Sequence, residues 1–222
     1  MKRLILILSC LSFMYVANSQ GVSVSYLIPK GGYISAPISP FSIRGLRIPI
    51  TDFLGLQGGA TLYNFPGLPI KDPLLDHNLP MRGYTFGLLV PVQLYIGGKL
   101  GGVSVIFSGG VFGLAFFNDR MIEGNLDRSV AKEMGWDVAN TNAELKNRAG
   151  FGLLGGIEFE VPFNRDLSLT FGVNYLSGKA DSPIEGTVRG GLLGQAVIEA
   201  PIQYSSAQTI LEGLELSVGV SF

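Results

Sequence analysis

The chain has 222 residues and 31 glycines, about twice the usual glycine share. Its 15% charged against 47% apolar residues exclude a disordered, solvating chain. Sixteen basic against seventeen acidic residues leave no surplus for nucleic acid, and one Cys excludes a disulfide framework or thiolate metal cluster.

Lys2 and Arg3 precede an apolar stretch from Leu4 to Val16, and Ala17-Asn18-Ser19 then sets small residues before Gln20. A basic start, a short apolar core and a small-x-small cut predict a signal peptide over 1–19, cleaved between Ser19 and Gln20. The core is too short for a membrane anchor, which needs about 20 residues. Lipoprotein processing before Cys10 fits less well, because Ile7-Leu8-Ser9 lacks the expected small residues. Residues 20–222 then form one exported domain.

Beyond residue 20 the recurring period is two. Val22, Val24, Tyr26 and Ile28 alternate with Ser23 and Ser25. Tyr84, Phe86, Leu88, Val90, Val92, Leu94 and Ile96 share one face of the next clear run, opposite Thr85, Gly87, Gln93 and Tyr95, with Leu89 and Pro91. Leu167 to Tyr175 and Leu214 to Phe222 alternate in the same way. Successive side chains of a strand point to opposite faces, so eight strands are expected at about 21–29, 41–50, 53–65, 82–96, 103–117, 149–162, 167–177 and 211–222. The second, fourth and sixth connections are short, and the first, third, fifth and seventh are long. A soluble sandwich has no reason to sort its loops by parity, whereas a barrel in an outer membrane has short periplasmic turns and long outer loops.

The second face of each strand is mostly Gly, Ser, Thr and Asn with isolated charges, as suits the lumen of a narrow barrel. Most of the glycine surplus is therefore expected inside. Alternation places Arg47, Gln57, Gln93, Glu158, Glu160 and Glu215 inside as well. An unpaired buried charge is costly, so Arg47 is expected to meet some of the carboxylates. A proton or ion path is the functional alternative for this set. Tyr26, Tyr84, Tyr95, Phe117, Tyr175 and Phe222 fall near strand ends, where aromatic girdles gather.

Three further features carry less. Gly150-Phe151-Gly152-Leu153-Leu154-Gly155 fits G-x-G-x-x-G, but it leads into an alternating strand and not a helix, so it reads as barrel lining and not a nucleotide site. His77, the single histidine, sits among Asp72, Pro73, Asp76 and Asn78, which is ordinary turn chemistry. The loop 118–148 carries eleven of the 33 charges and the only Trp, Trp136. Within it Asp127 to Met134 suggests a short helix and Thr141-Asn142-Ala143-Glu144 a capping box. It reads as a hydrated loop or as a recognition surface.

The signal ending Ala17-Asn18-Ser19, the loop parity and the last alternating strand ending on Phe222 resemble the small outer-membrane β-barrels of Gram-negative-type bacteria. These are the OmpX-like and OmpA-barrel-like group, with the barrel domains to which PorT-like proteins belong. The resemblance implies an all-β, antiparallel, up-and-down transmembrane barrel in the outer membrane. It also implies Phe222 as the signal read by the barrel-assembly machinery. One departure is the apolar stretch 187–204 around Ala200-Pro201-Ile202, which leaves a ten-stranded barrel possible. No cofactor, metal site or catalytic site is expected. The expected partners are outer-membrane lipid, the assembly machinery and an envelope or surface protein at 118–148. The expected role is structural, adhesive or supportive of secretion or assembly. A narrow channel for small or hydrophobic solutes is the alternative, and a lipid-modifying enzyme comes third.

Overall fold

The structure, a computed structural model, describes residues 21–31, 38–75, 79–118 and 120–222. The expected signal peptide and His77 lie outside the described residues. In chain order the strands are β1 (Gly21–Pro29), β2 (Ile38–Pro49), β3 (Leu54–Phe65), β4 (Leu68–Lys71), β5 (Pro80–Arg82), β6 (Thr85–Leu100), β7 (Val103–Phe117), β8 (Val138–Leu145), β9 (Gly150–Pro162), β10 (Ser168–Asp181), β11 (Ile184–Gly191), β12 (Ile198–Tyr204) and β13 (Gln208–Ser221). One helix, α1 (Glu123–Met134), lies between β7 and β8.

Eight of these strands form a ring in the order β1-β2-β3-β6-β7-β9-β10-β13, closed by antiparallel pairing of β1 with β13 from Gly21↔Ser221 to Pro29↔Gly213. The ring matches the eight strands expected from alternation. Short turns join its strands at one end, and their chemistry is local. Thr51 Oγ1 accepts from the Leu54 N–H at 3.0 Å. Gly101 adopts φ +63°, and Asn164 Oδ1 accepts from Asp166 and Leu167 N–H. The other end carries the long connections.

The polarity of the ring is inverted relative to a soluble protein. Val22, Val24, Val92, Leu94, Phe107, Phe171, Leu216 and Val218 all lie on its exposed outer surface. Ser25, Ser42, Thr61 and Glu215 are fully buried inside it. Such a surface is stable only when covered by lipid. Among the described residues no helix is long and apolar enough to cross a membrane. The ring strands, which carry the apolar outer face, make the crossing. The glycines divide between the faces. A side chain at Gly110, Gly152 or Gly156 would run into neighbouring strand atoms, whereas Gly109, Gly113 and Gly155 face outward into open or loosely packed space. Glycine is thus not only a lumen residue.

The stretch 187–204 does form a hairpin, but not in the barrel wall. β11 pairs with β12 and with β8 in a separate three-stranded sheet above the ring. The barrel is eight-stranded, and the ten-stranded alternative is excluded. The connection 118–148 is likewise not a loosely hydrated loop. It holds α1, whose Leu126 and Val130 lie one turn apart on one face, and β8, whose Leu145 joins them in a buried cluster with Ile184, Val188 and Ile202. Thr141 is no helix cap. It sits within β8, where its N–H and hydroxyl both donate to Asp127 Oδ1 of α1, at 2.7 and 2.5 Å. The helix ends at Gly135, which takes the left-handed conformation at φ +66°. The long connections fold together into a cap with its own core.

Candidate functional site

The lumen is built in layers, beginning at the turn end with charge. Arg47 Nη1 donates to Glu160 Oε1 at 2.6 Å, and Arg47 Nη2 donates to Glu158. The Arg47 guanidinium also lies 5.8 Å from the centre of the Tyr95 ring. Tyr95 therefore faces inward and belongs to no girdle. Gln57 connects Arg47 to Gln93 with bonds of 3.4 and 3.2 Å, and Gln93 donates onward to Ser108 at 2.9 Å. Five of the six residues placed inside by alternation thus come together in one chain of contacts.

Glu215 forms a second centre, deeper in the barrel. It is fully buried and accepts from Arg44, from the Tyr63 hydroxyl and, at 3.3 Å, from Asn174 Nδ2. Arg44 also donates to Ser42 at 3.0 Å and Thr61 at 3.1 Å. Sequence reasoning missed Arg44, Tyr63 and Asn174. Arg44 and Arg47 differ by an odd number, so simple alternation puts them on opposite faces. Between the pairs Ile43↔Ala60 and Leu46↔Gly58, two residues of β2 oppose one of β3. This β-bulge, with Gly45 at φ +68°, brings both arginines inside.

Beyond Glu215 the lumen turns apolar. Leu27, Phe65, Leu89, Phe112, Leu154 and Leu211 are buried against one another across the barrel. Phe65 meets the edge of Phe116 with ring centres 6.1 Å apart. Among the charged residues lie spaces of about 10 and 20 Å³. That is room for about one water each.

At the loop end Arg82 of β5 links the barrel to the cap. It is fully buried, stacks 4.1 Å above the Phe116 ring, and donates to Thr209 at 3.0 Å and to Asn147. Above it, Met81, Leu126, Ile184, Ile202 and Tyr204 make the cap core. Tyr204 donates to Glu133 of α1 at 2.5 Å. Burial first, and then this bond to a carboxylate, push the Tyr204 phenol well above its usual range. Asp72 is buried and accepts from Ser206 at 2.7 Å and from the Leu74 N–H at 3.0 Å, so it serves as a structural acceptor. Among the described residues no group of three or more His, Cys, Asp and Glu is placed to hold a metal ion. Phe222 is exposed just beyond β13, at the turn end.

A closed eight-stranded ring with a lipid-type outer face, an ion-paired lumen and sorted loop lengths defines an integral outer-membrane β-barrel. No family model matches the chain, and no curated protein matches it. Among solved structures it is similar to the outer membrane protein OprG from Pseudomonas aeruginosa, at 14% identity over 90% of this chain and 93% of that one, with a TM-score of 0.46. It is also similar to a major outer membrane protein from Thermus thermophilus, at 12% identity over 92% and 98%, with a TM-score of 0.45.

Proposed function

We propose that this protein is a non-conducting outer-membrane pedestal that fixes a folded cap at the cell surface. Its role is structural, adhesive or supportive of a secretion or surface assembly, and it has no catalytic site. The observation that carries the reading is the filled lumen. Ion pairs occupy the turn end, an apolar plug the middle, and Arg82 with the cap core the loop end. A wide solute path would need all three layers to move.

The cap itself supports an interactive role. β8 and β11 rise eight residues beyond the barrel, or about 25 Å. At their far tip Val138, Leu192, Leu193, Val197 and Ile198 are exposed. Apolar side chains gathered on a rigid support are how partner surfaces are commonly presented.

Planar-bilayer recording of the refolded protein tests the closed lumen. No steady conductance is expected, from the native chain or from Glu158→Gln. A steady open level in the native chain, abolished by Glu158→Gln, would establish the ion path instead. Replacing residues 121–146 by a short Gly-Ser link, with heat-modifiability on a gel to show that the barrel persists, tests the cap. Loss of a surface or secretion phenotype is expected.

A further inference from the structure

The outer surface of the barrel carries a groove that the closed lumen does not explain. It lies at the loop end across β7, β9, β10 and β13, has a volume of about 470 Å³, and is walled by Val111, Phe151, Leu153 and Ile210. Ser177, a small outward-facing residue paired with Leu153 on one side and Glu212 on the other, leaves its floor low. Lys179 stands at its outer lip, in register with Phe151 and Ile210.

Basic residues surround that lip. Lys71 faces outward beside Gln208, two positions along β13 from Ile210. Arg148 is exposed, and its backbone N–H donates to the Asp181 carbonyl at 3.2 Å. Lys30 pairs with Glu212 at 3.0 Å, and the Tyr175 hydroxyl donates to the same carboxylate at 2.6 Å, so that acid is already neutralised. Asp181 accepts from Gln208 at 2.9 Å. Among the described residues, Lys71 and Lys179 make no ion pair. The rim therefore holds Lys71, Arg148 and Lys179 against one uncompensated carboxylate, directly above an apolar trough.

We infer that this groove binds a phosphate-bearing lipid of the outer leaflet. The acyl chain lies along Phe151, Leu153 and Val111, and the phosphate sits between Lys179 and Lys71. Direction and chemistry agree. Phe151 is near the loop-end start of β9, and Leu153 paired with Val111 lies one step deeper, toward the exposed belt of Val173, Leu214 and Leu216. A chain entering at Lys179 thus runs into the membrane and not across it. Lysine near a membrane surface favours anionic headgroups by about 1 kcal/mol each, or about fivefold.

Native mass spectrometry of the refolded barrel, released from micelles containing equal phosphatidylglycerol and phosphatidylcholine, reads this directly. One retained phosphatidylglycerol per barrel is expected, in preference to phosphatidylcholine. Lys179→Ala should lower that preference about fivefold, and Lys179→Arg should keep it. Ser177→Trp, which fills the trough from an outward-facing position, should remove the retained lipid while heat-modifiability shows an intact barrel. Equal retention of the two lipids overturns the inference. So does displacement of phosphatidylglycerol by inorganic phosphate with no effect of Ser177→Trp, which would mark a bare anion site. Neither result bears on lumen conductance, so the groove and the closed pedestal stand or fall separately.

Discussion

Arg44 and Arg47 stand three residues apart on one strand and both point into the lumen, because Gly45 forms a bulge between them. Without the bulge, one of the two guanidiniums would face lipid. That costs about 2–4 kcal/mol at the membrane midplane. Deleting Gly45 should sharply lower the folded fraction in micelles, read as loss of the heat-modifiable band. Gly45→Ala keeps the residue count but strains a left-handed position, and should cost about 1–2 kcal/mol in a urea titration.

Glu215 is the shared acceptor for Arg44, Tyr63 and Asn174 in a fully buried position. Glu215→Leu leaves the Arg44 charge enclosed without its counter-ion, and a loss of about 3–5 kcal/mol is expected. Adding Arg44→Met should recover most of that loss, since a removed pair costs less than a broken one. A double-mutant cycle from urea midpoints in the same lipid decides it. Simple additivity of the two losses would show that the pair is not coupled.

Arg82 belongs to a strand of the cap region but stacks on Phe116 of the barrel wall. Arg82→Met should therefore loosen the cap without opening the barrel. The expected outcome is faster proteolysis at 120–148 and 182–207 alongside an unchanged heat-modifiable band. Joint loss of both would show that barrel and cap unfold as one unit.

The Tyr204 phenol is held neutral by burial and by its bond to Glu133. A group whose ionisation is pushed upward in the fold contributes stability that is present below its ordinary pKa, about 10, and is lost as pH rises past it. Cap protection against proteolysis should therefore fall as pH is raised above about 10. Tyr204→Phe should weaken the cap at neutral pH by about 1 kcal/mol, the scale of one hydrogen bond. It should also flatten the alkaline decline. An unchanged decline would assign it to another group.

The barrel was legible in the sequence because lipid imposes a strict rule on every spanning residue. Val22 to Tyr26 and Leu214 to Phe222 alternate without exception, and β1 and β13 run where that alternation runs. Gln57, Gln93, Glu158 and Glu160 were legible for the same reason. Arg44 was not, since a bulge shifts parity in a way no period can reveal. Nor was the cap. Its core draws Ile70, Met81, Leu126, Leu145, Ile184 and Ile202 from separate connections. Each strand or helix there contributes one or two buried apolar residues, too few to show a period of its own. Asp127 and Thr141 could be joined only by the fold, as their sequence signals pointed to two unrelated helix features.

The pairing of Gly21 with Ser221 joins residues 200 positions apart in sequence. Both edges of the growing sheet stay open until β13 arrives, and no earlier segment can close the ring. Contacts of such sequence separation form slowly, while open strand edges and apolar faces invite aggregation. Until that pairing forms, the apolar outer faces and the strand edges have no cover but lipid or another chain. The step that commits the chain to the bilayer is the meeting of its first strand with its last.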